Sequence, residues 1–239
     1  MILKKRMLIL TAFLAFLASW AMGARPTTHP DFKAIREETH NPDSKFYYPR
    51  LLAAYFSNDT TMTDDDYHYL YYGSMFQEDY NPYRINPFEA ELKATEPLYS
   101  RHGTLTRSEK RQIQQLAEKS LANNPFNLKQ LSHLIYAYEQ SDKTNLAKIW
   151  QHKLNRLLLT IAASGTGADK EHAIVVVDPS NELDFFFLSN IVPEGREYEP
   201  PYYECFLVRP PGATEPRKVW FDLHHLLEQY YLKHPTEKD

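Results

Sequence analysis

The sequence predicts an α+β fold, in which helices come first and a small antiparallel sheet follows before a closing helix. Apolar residues recur at helical spacing through the middle of the chain, and β-type runs separated by proline-rich turns occupy the C-terminal third. Helices first and strands last are typical of an α+β arrangement. We expect a single domain over 44–234, helical over 44–164, β-rich over 168–222 and closed by a helix over 222–234.

Composition excludes several classes of protein. The chain has 239 residues, of which 43% are hydrophobic, and a formal net charge of −4. This hydrophobic content is too high for a disordered chain, and a pI near 6.2 disfavours nucleic-acid binding by bulk charge. The single cysteine, Cys205, cannot form a disulfide within the chain. The only G-x-G, Gly165-Thr166-Gly167, continues into neither glycine-rich phosphate-binding fingerprint.

The N-terminus has the pattern of an export signal. Three cations at positions 4–6 precede an uncharged apolar run of 15 residues, Met7–Ala21, which is shorter than the ~20 residues of a membrane span. Small residues suited to cleavage follow; an uncleaved anchor helix is the alternative. We therefore expect a signal peptide over 1–23, a flexible segment over 24–43, and an exported protein, periplasmic or secreted, with no membrane span after cleavage.

Helix start signals divide the helical part. A helix is expected over Phe46–Phe56 from its apolar spacing. Thr63 is placed to cap a second helix, whose first turn carries three carboxylates at positions 64–66. Asn86–Glu89 and Thr106–Glu109 have the spacing of capping boxes and predict two further helix starts.

Three apolar stripes at helical spacing follow. Their members are Ile113, Leu116, Ala117, Ser120 and Leu121; Leu128, Leu131, Leu134, Ile135 and Tyr138; and Ala147, Trp150, Leu154, Leu157, Leu158 and Ile161. The short connectors between them make neighbouring helices antiparallel. The block resembles a degenerate tetratricopeptide-like helix pair, in which Pro125 closes the preceding helix and Ile135 stands where that repeat has a small residue. No second copy follows at a period of about 34 residues.

The C-terminal third contains four β-type runs, Ala173–Val177, Leu183–Leu188, Tyr202–Val208 and Lys218–Phe221. The last two are expected to form a hairpin. The run Leu183–Leu188 is also consistent with a short buried helix, because periodicity does not separate the two. Asp222 is placed to cap the closing helix.

No motif in the sequence specifies a reaction. The ten histidines never form an H-x-x-x-H pair, and no G-x-S-x-G nucleophile elbow occurs. We therefore expect no catalytic residue, no metal ion and no cofactor. The carboxylates Asp178, Glu182 and Asp184 keep open an acid–base pair for hydrolysis.

Tyrosine is concentrated in one stretch, with six tyrosines between positions 67 and 83. Its flat apolar body and polar tip suit sugar or peptide surfaces. We predict a binding site at Tyr72, Tyr80, Pro82 and Tyr83 for an unknown protein or glycan partner. The alternative is packing between helices, because Tyr67 shares a helical face with apolar neighbours.

Several short segments carry a resemblance to a known family. They are Asp59-Thr60-Thr61, Leu70-Tyr71-Tyr72-Gly73, Tyr80-Asn81-Pro82-Tyr83, Asn124-Pro125, Ser164-Gly165-Thr166-Gly167 and Trp220-Phe221-Asp222. Over about 45–233, the chain resembles an uncharacterised exported family of Bacteroidota, domain of unknown function 4919. It departs from the family at Thr166, where an acidic residue is expected. The family has no assigned activity, so the resemblance implies a fold and a compartment only, and no catalytic residue is carried over.

These observations lead to one hypothesis of function and two alternatives. The leading hypothesis is a non-catalytic binding or interaction module of the cell envelope. The alternatives are a hydrolase that acts on glycan or peptide through carboxylates near 178–184, and a structural partner in an envelope assembly. Polar side chains that converge in a deep pocket would favour an enzyme, and a shallow aromatic groove would favour a module.

Overall fold

The described part of the chain forms two compact units. The computed structural model describes residues 27–100, 104–189, 191–209 and 213–237. One unit is Lys33–Leu159, and the other joins Thr160–Asp239 to Met1–Phe32, each as far as it is described. The boundary between the units falls inside the range 44–234, for which the sequence predicts one domain. The signal peptide expected over 1–23 lies outside the described residues.

The first unit is built from α-helices. Their bounds are α1 Phe32–His40, α2 Tyr48–Phe56, α3 Asp64–Gly73, α4 Glu89–Ser100, α5 Arg107–Asn123, α6 Leu128–Gln140 and α7 Thr144–Ala163. A short 3₁₀ turn, Ser74–Phe76, follows α3. Helices α5 and α6, joined by a short connector, pack against each other. The predicted helical part of the fold is therefore confirmed.

Helix α1 lies inside the segment 24–43, which the sequence predicts to be loose. Its boundaries fall between Pro30 and Pro42, so neither proline interrupts the helix. Ile35 and Thr39, four residues apart, are buried. The sequence does not predict this helix, because prolines lie beyond both of its ends and only one narrow face of it is buried.

Capping boxes fix the starts of α3 at Thr63, where the sequence predicts a cap, and of α5 at Thr106, where it predicts a box. The Thr63 hydroxyl accepts a hydrogen bond from the Asp66 N–H at 3.2 Å, and the Asp66 carboxylate accepts from the Thr63 N–H at 2.7 Å. Thr106 and Glu109 repeat the arrangement at 3.2 and 2.7 Å. Each box satisfies two backbone donors that the helix itself leaves unpaired.

The core of the first unit is rich in tyrosine. Tyr55, Tyr67, Tyr71 and Tyr72 are all fully buried. The ring of Tyr71 lies 5.0 Å from that of Tyr72 and 5.6 Å from that of Phe126, in edge-to-face geometry. Such pairs stabilise a core by about 0.5–1.5 kcal/mol beyond the burial of their area. The tyrosine-rich stretch thus contributes mainly to packing up to Tyr72.

Gly73 ends α3 at a close contact with α1. The sequence predicts a packing reason for this glycine, because Gly in a helix costs about 0.5–1 kcal/mol relative to Ala. A Cβ atom on Gly73 would lie 2.6 Å from Cγ2 of Thr39. The Thr39 hydroxyl is held by a hydrogen bond to the Ile35 carbonyl at 2.6 Å. The expected close packing is confirmed.

Replacement of this glycine gives a testable result. We expect Gly73→Ala to destabilise the protein by about 1–2 kcal/mol through overpacking, although Ala in a helix normally stabilises by about 1 kcal/mol relative to Gly. Adding Thr39→Ser removes Cγ2, keeps the hydroxyl and should recover most of the loss. Urea denaturation of the single and double variants measures both effects. A Gly73→Ala protein at least as stable as wild type would contradict the argument.

In the second unit, the described strands form one sheet in the order β1-β4-β3-β2. Their bounds are β1 Ile174–Val175, β2 Pro193–Glu199, β3 Tyr203–Val208 and β4 Arg217–Asp222. Strand β3 is antiparallel to both β2 and β4, so the predicted hairpin of the last two strands is confirmed. Strand β1 is parallel to β4, which makes this sheet mixed rather than wholly antiparallel.

Helix α8, Ser180–Leu188, forms where the sequence allows either a strand or a short helix. Leu183 and Phe187, four residues apart, are 48% and 61% exposed, whereas Phe185 and Phe186 are buried. An exposed face that recurs at four residues has the helical period, not the alternation of a strand.

Strand β2 is missing from the sequence prediction, and the closing helix is slightly shorter than predicted. All residues of β2 except the first and last are exposed, and Gly195 in its interior weakens the local preference for a strand. The strand forms by pairing with β3. The closing helix, α9, covers His224–Lys233, and the Asp222 carboxylate accepts the His224 N–H at 2.7 Å.

The Ser164–Gly167 turn connects the end of α7 to the sheet. The Ser164 hydroxyl donates to the Ile161 carbonyl at 2.6 Å and accepts from the Val175 N–H at 2.8 Å. Gly167 has φ +69°, and its carbonyl accepts from the Trp220 N–H at 3.0 Å. The left-handed glycine therefore lies beyond the last helical residue and ties the turn to β4.

Candidate functional site

The predicted binding residues lie at different depths. Tyr72 has no exposed surface and its ring contacts Tyr71, so it cannot contact a ligand without a change of structure. Tyr80 and Pro82 are half-buried, and Tyr83 is 47% exposed. A binding role for Tyr80, Pro82 and Tyr83 stays a prediction.

The carboxylates considered for hydrolysis are also largely withdrawn from solvent. The Glu182 side chain has no exposed surface, Asp184 is buried and Asp178 is half-buried. Nη2 of Arg196 lies 3.6 Å from the Glu182 carboxyl. The same guanidinium donates two hydrogen bonds to Glu204, at 2.5 and 2.9 Å. Glu182 thus belongs to a buried cluster with Arg196 and Glu204 rather than to an open cleft.

Glu182 is best described as a neutral acid. No donor in the described part of the chain makes a hydrogen bond to either of its carboxyl oxygens. Burial, followed by the neighbouring Glu204 carboxylate, raises the pKa of Glu182 well above the usual value of a glutamate. A proton on Glu182 allows it to donate to Glu204, whose charge Arg196 neutralises. Because the Glu182 carboxyl is not exposed in this structure, Glu182 and Glu204 do not present an acid–base pair to a substrate.

A polar groove lies on the surface of the helical unit. Its volume is about 660 Å³. The lining residues are Arg107, Lys110, Arg111, Gln114, Gln115, Glu118, Ser141, Asp142 and Lys143. The first six recur at three- and four-residue spacing along α5, so they lie on one face of that helix. The other three form the connector between α6 and α7. We call this surface the basic groove.

One end of the basic groove is an ordered polar network. Lys143 donates from Nζ to Oε1 of Gln114 at 2.9 Å, and Gln114 donates to Glu118 at 2.8 Å. The Tyr138 hydroxyl also donates to Glu118, at 3.0 Å. Burial and the Glu118 carboxylate raise the pKa of Tyr138 above its usual value, so its hydroxyl stays a donor. These contacts fix the Glu118 carboxylate in place.

The other end of the basic groove carries cations that have no partner among the residues described. The side chains of Arg107, Lys110 and Arg111 make no hydrogen bond or ion pair with any residue that the structure describes. The lining as a whole has four cations and two carboxylates, Glu118 and Asp142, on a chain whose formal charge is −4. A local excess of cations on an acidic protein creates a positive potential that attracts anionic groups.

Lys153 is a buried cation that sequence reasoning missed. It is 2% exposed, and its Nζ lies 4.0 Å from the Trp150 ring centroid and 4.4 Å from that of Tyr55. Nζ donates to the side chain of Asn58 at 2.7 Å. Burial lowers the pKa of Lys153 to about 8. The sequence does contain a signal for its burial, because position 153 has helical spacing to Trp150 and to Leu157 in the apolar stripe.

Metal binding and membrane crossing find no support in the described part of the chain. Within it, no three histidine, cysteine, aspartate or glutamate side chains lie together as metal ligands would. Among the same residues, no helix combines the length and the apolar character needed to cross a bilayer.

Comparison with curated proteins and with solved structures gives no match. A family model does match: the domain of unknown function DUF4919 covers residues 33–231. That range includes the basic groove, the buried carboxyl cluster and all four strands of the described sheet. The chain therefore belongs to the family of the domain of unknown function DUF4919.

Proposed function

We propose that this protein is a non-catalytic binding module, whose basic groove takes the anionic part of a partner. The observation that carries the proposal is the set of three cations in one wall of the groove, Arg107, Lys110 and Arg111, which make no hydrogen bond or ion pair with any described residue. Cations in a concave surface attract an anionic group more strongly than isolated surface charges do, since the low-dielectric walls focus the field.

The lining chemistry supports binding rather than hydrolysis. Acid–base hydrolysis of a glycosidic bond uses two carboxyl groups that flank the bond. In the basic groove, Glu118 is already held by Tyr138 and Gln114. The buried Glu182 of the second unit has no exposed surface. Donors therefore dominate the open site, as in a recognition surface.

We also propose that the module acts outside the cytoplasm, in the cell envelope or as a secreted protein. The three cations at positions 4–6 and the apolar run Met7–Ala21 support export. The spacing of Leu131, Leu134, Tyr138 and Ala147 supports a tetratricopeptide-like helix pair formed by α6 and α7, which a short connector joins. A helix pair of that kind offers its grooves to extended segments of partners.

Charge reversal in the groove tests the binding proposal. Fluorescein-labelled triglutamate serves as the probe, with anisotropy measured at low ionic strength, where the Debye length is about 30 Å. An exposed ion pair contributes about 0.2–1 kcal/mol, so reversal of three cations should weaken binding by tenfold or more. The variant is Arg107→Glu, Lys110→Glu and Arg111→Glu combined. Acidic residues near the start of a helix favour its dipole, so folding of α5 is expected to survive.

The matched control reverses three exposed lysines elsewhere in the helical unit, Lys33, Lys93 and Lys148. It changes the net charge by the same amount and should leave triglutamate binding within about twofold of wild type at equal ionic strength. Equal losses in both variants would mean that only bulk charge matters. Undiminished binding by the groove variant would reject the basic groove as the site.

A further inference from the structure

The charges of the basic groove are ordered along α5. Cations occupy its first positions, amides follow at Gln114 and Gln115, and a carboxylate stands last at Glu118. We infer that the partner is an extended peptide segment, acidic at one end and neutral at the other. This inference rests on the proposed function and names the chemistry of the ligand at the same site.

The length of the groove sets the length of the segment. Arg107 and Glu118 are 11 positions apart on α5, which is about 16 Å at 1.5 Å per residue. An extended peptide rises about 3.3 Å per residue. The groove therefore spans about five residues, of which the acidic ones face Arg107, Lys110 and Arg111.

The middle of the groove suits a peptide backbone. The side chains of Gln115 and Ser141 make no hydrogen bond with any residue in the described ranges. A side-chain amide and a hydroxyl each supply both a donor and an acceptor, which matches the alternating N–H and C=O groups of an extended chain. A sulfated sugar has hydroxyl groups but not the regular alternation of N–H and C=O groups that an extended peptide offers to these side chains.

Glu118 is the specificity-determining residue. Its carboxylate is held by Tyr138 and Gln114 and cannot turn away from an approaching ligand without breaking those bonds. A uniformly acidic segment would place a like charge against it, which is unfavourable. A segment that is neutral at this end avoids the repulsion.

The experiment compares four ligands on wild type and on Glu118→Gln. The labelled probes are pentaglutamate, Glu-Glu-Glu-Ser-Asn with its reverse order Asn-Ser-Glu-Glu-Glu, and a sulfated heparin-derived hexasaccharide. The better of the two ordered peptides should bind wild type about threefold or more tighter than pentaglutamate, although pentaglutamate carries more charge. Glu118→Gln keeps the acceptor for Tyr138 and should reduce this preference to about one. Glu37→Gln, an exposed glutamate on α1, is the matched control and should keep the preference.

The outcomes separate this inference from the proposed function. Pentaglutamate binding as tightly as the ordered peptides would overturn the inference, while loss of triglutamate binding on charge reversal would still support the anion site. Tighter binding of the hexasaccharide than of every peptide, lost on reversal of Arg107, Lys110 and Arg111, would likewise replace the peptide with a glycan. If triglutamate binding survives that reversal, the proposed function itself fails.

Discussion

Gly165→Ala is expected to destabilise the protein by about 3 kcal/mol or more. A Cβ atom at this position would lie 2.2 Å from the carbonyl oxygen of Ala173 and 2.6 Å from that of His172. Both atoms belong to the backbone, so no side-chain rotation relieves the contact, and the turn must move away from the strand. Overpacking typically destabilises a protein by about 1–3 kcal/mol, and overpacking that displaces backbone reaches or exceeds the upper end of this range.

The displacement also threatens the bonds around Gly165. Ser164 holds the Val175 N–H at the start of the sheet, and the Gly167 N–H donates to His172 at 2.7 Å. For a chain of this size, 3 kcal/mol lowers Tm by about 6–12 °C. Differential scanning calorimetry measures the shift, and circular dichroism shows whether the fold is kept.

Gly195→Ala is the matched control for this effect. A Cβ atom on Gly195 would lie 3.8 Å from Cβ of Leu207, an ordinary contact on an exposed strand. Its Tm should stay within about 2 °C of wild type, corresponding to roughly 0.5 kcal/mol. If Gly165→Ala melts with the control, the close approach at the Ser164–Gly167 turn is not present in solution.

Local signals allowed most helices to be predicted from the sequence. The capping boxes at Thr63 and Thr106 act within four residues, so their chemistry is complete in the sequence. Strand β2 has no such local signal, because its polar residues do not favour a strand by themselves. The strand forms because it pairs with β3. The parallel pairing of β1 with β4 was equally out of reach, because it joins residues far apart in the chain.

The candidate site likewise has one part that local sequence signals predict and another that depends on tertiary structure. The spacing of Arg107, Lys110 and Arg111 on one helical face is readable from the sequence. The groove exists only because the connector between α6 and α7 lies beside that face, which is a tertiary fact. Tyr72 is the reverse case, since a residue chosen for its surface chemistry is fully buried. Composition alone does not distinguish a tyrosine that packs from one that binds.

Glu182→Gln is expected to stabilise the protein at neutral pH, by about 2 kcal/mol. In the unfolded chain this glutamate titrates near its ordinary value of 4.5, whereas burial raises its pKa in the folded protein. Folding above pH 4.5 therefore requires Glu182 to take up a proton, and stability falls as the pH rises towards the raised pKa, at up to about 1.4 kcal/mol per pH unit. Glutamine is neutral in both states and removes this dependence.

The amide of glutamine keeps the contact that the protonated acid makes. Its N–H can donate to Glu204, which Arg196 already holds by two hydrogen bonds. One remaining amide hydrogen without a partner costs about 1 kcal/mol or more, which limits the net gain to about 2 kcal/mol. Urea denaturation between pH 4.5 and pH 8 should show a difference from wild type that is smallest at the acid end and grows as the pH rises.

Glu197→Gln controls for the loss of a carboxylate, because Glu197 lies exposed on β2, in the same sheet as Glu204. Its stability should follow that of wild type within about 0.5 kcal/mol across the range.

A loss of stability in Glu182→Gln would contradict the prediction. Breaking a buried ion pair by removing one charged partner is strongly destabilising, by about 3–5 kcal/mol. If Glu182→Gln loses stability at pH 7, Glu182 is therefore ionised and shares Arg196 with Glu204 as a second counter-ion. That result would reject a proton held between the two carboxyl groups.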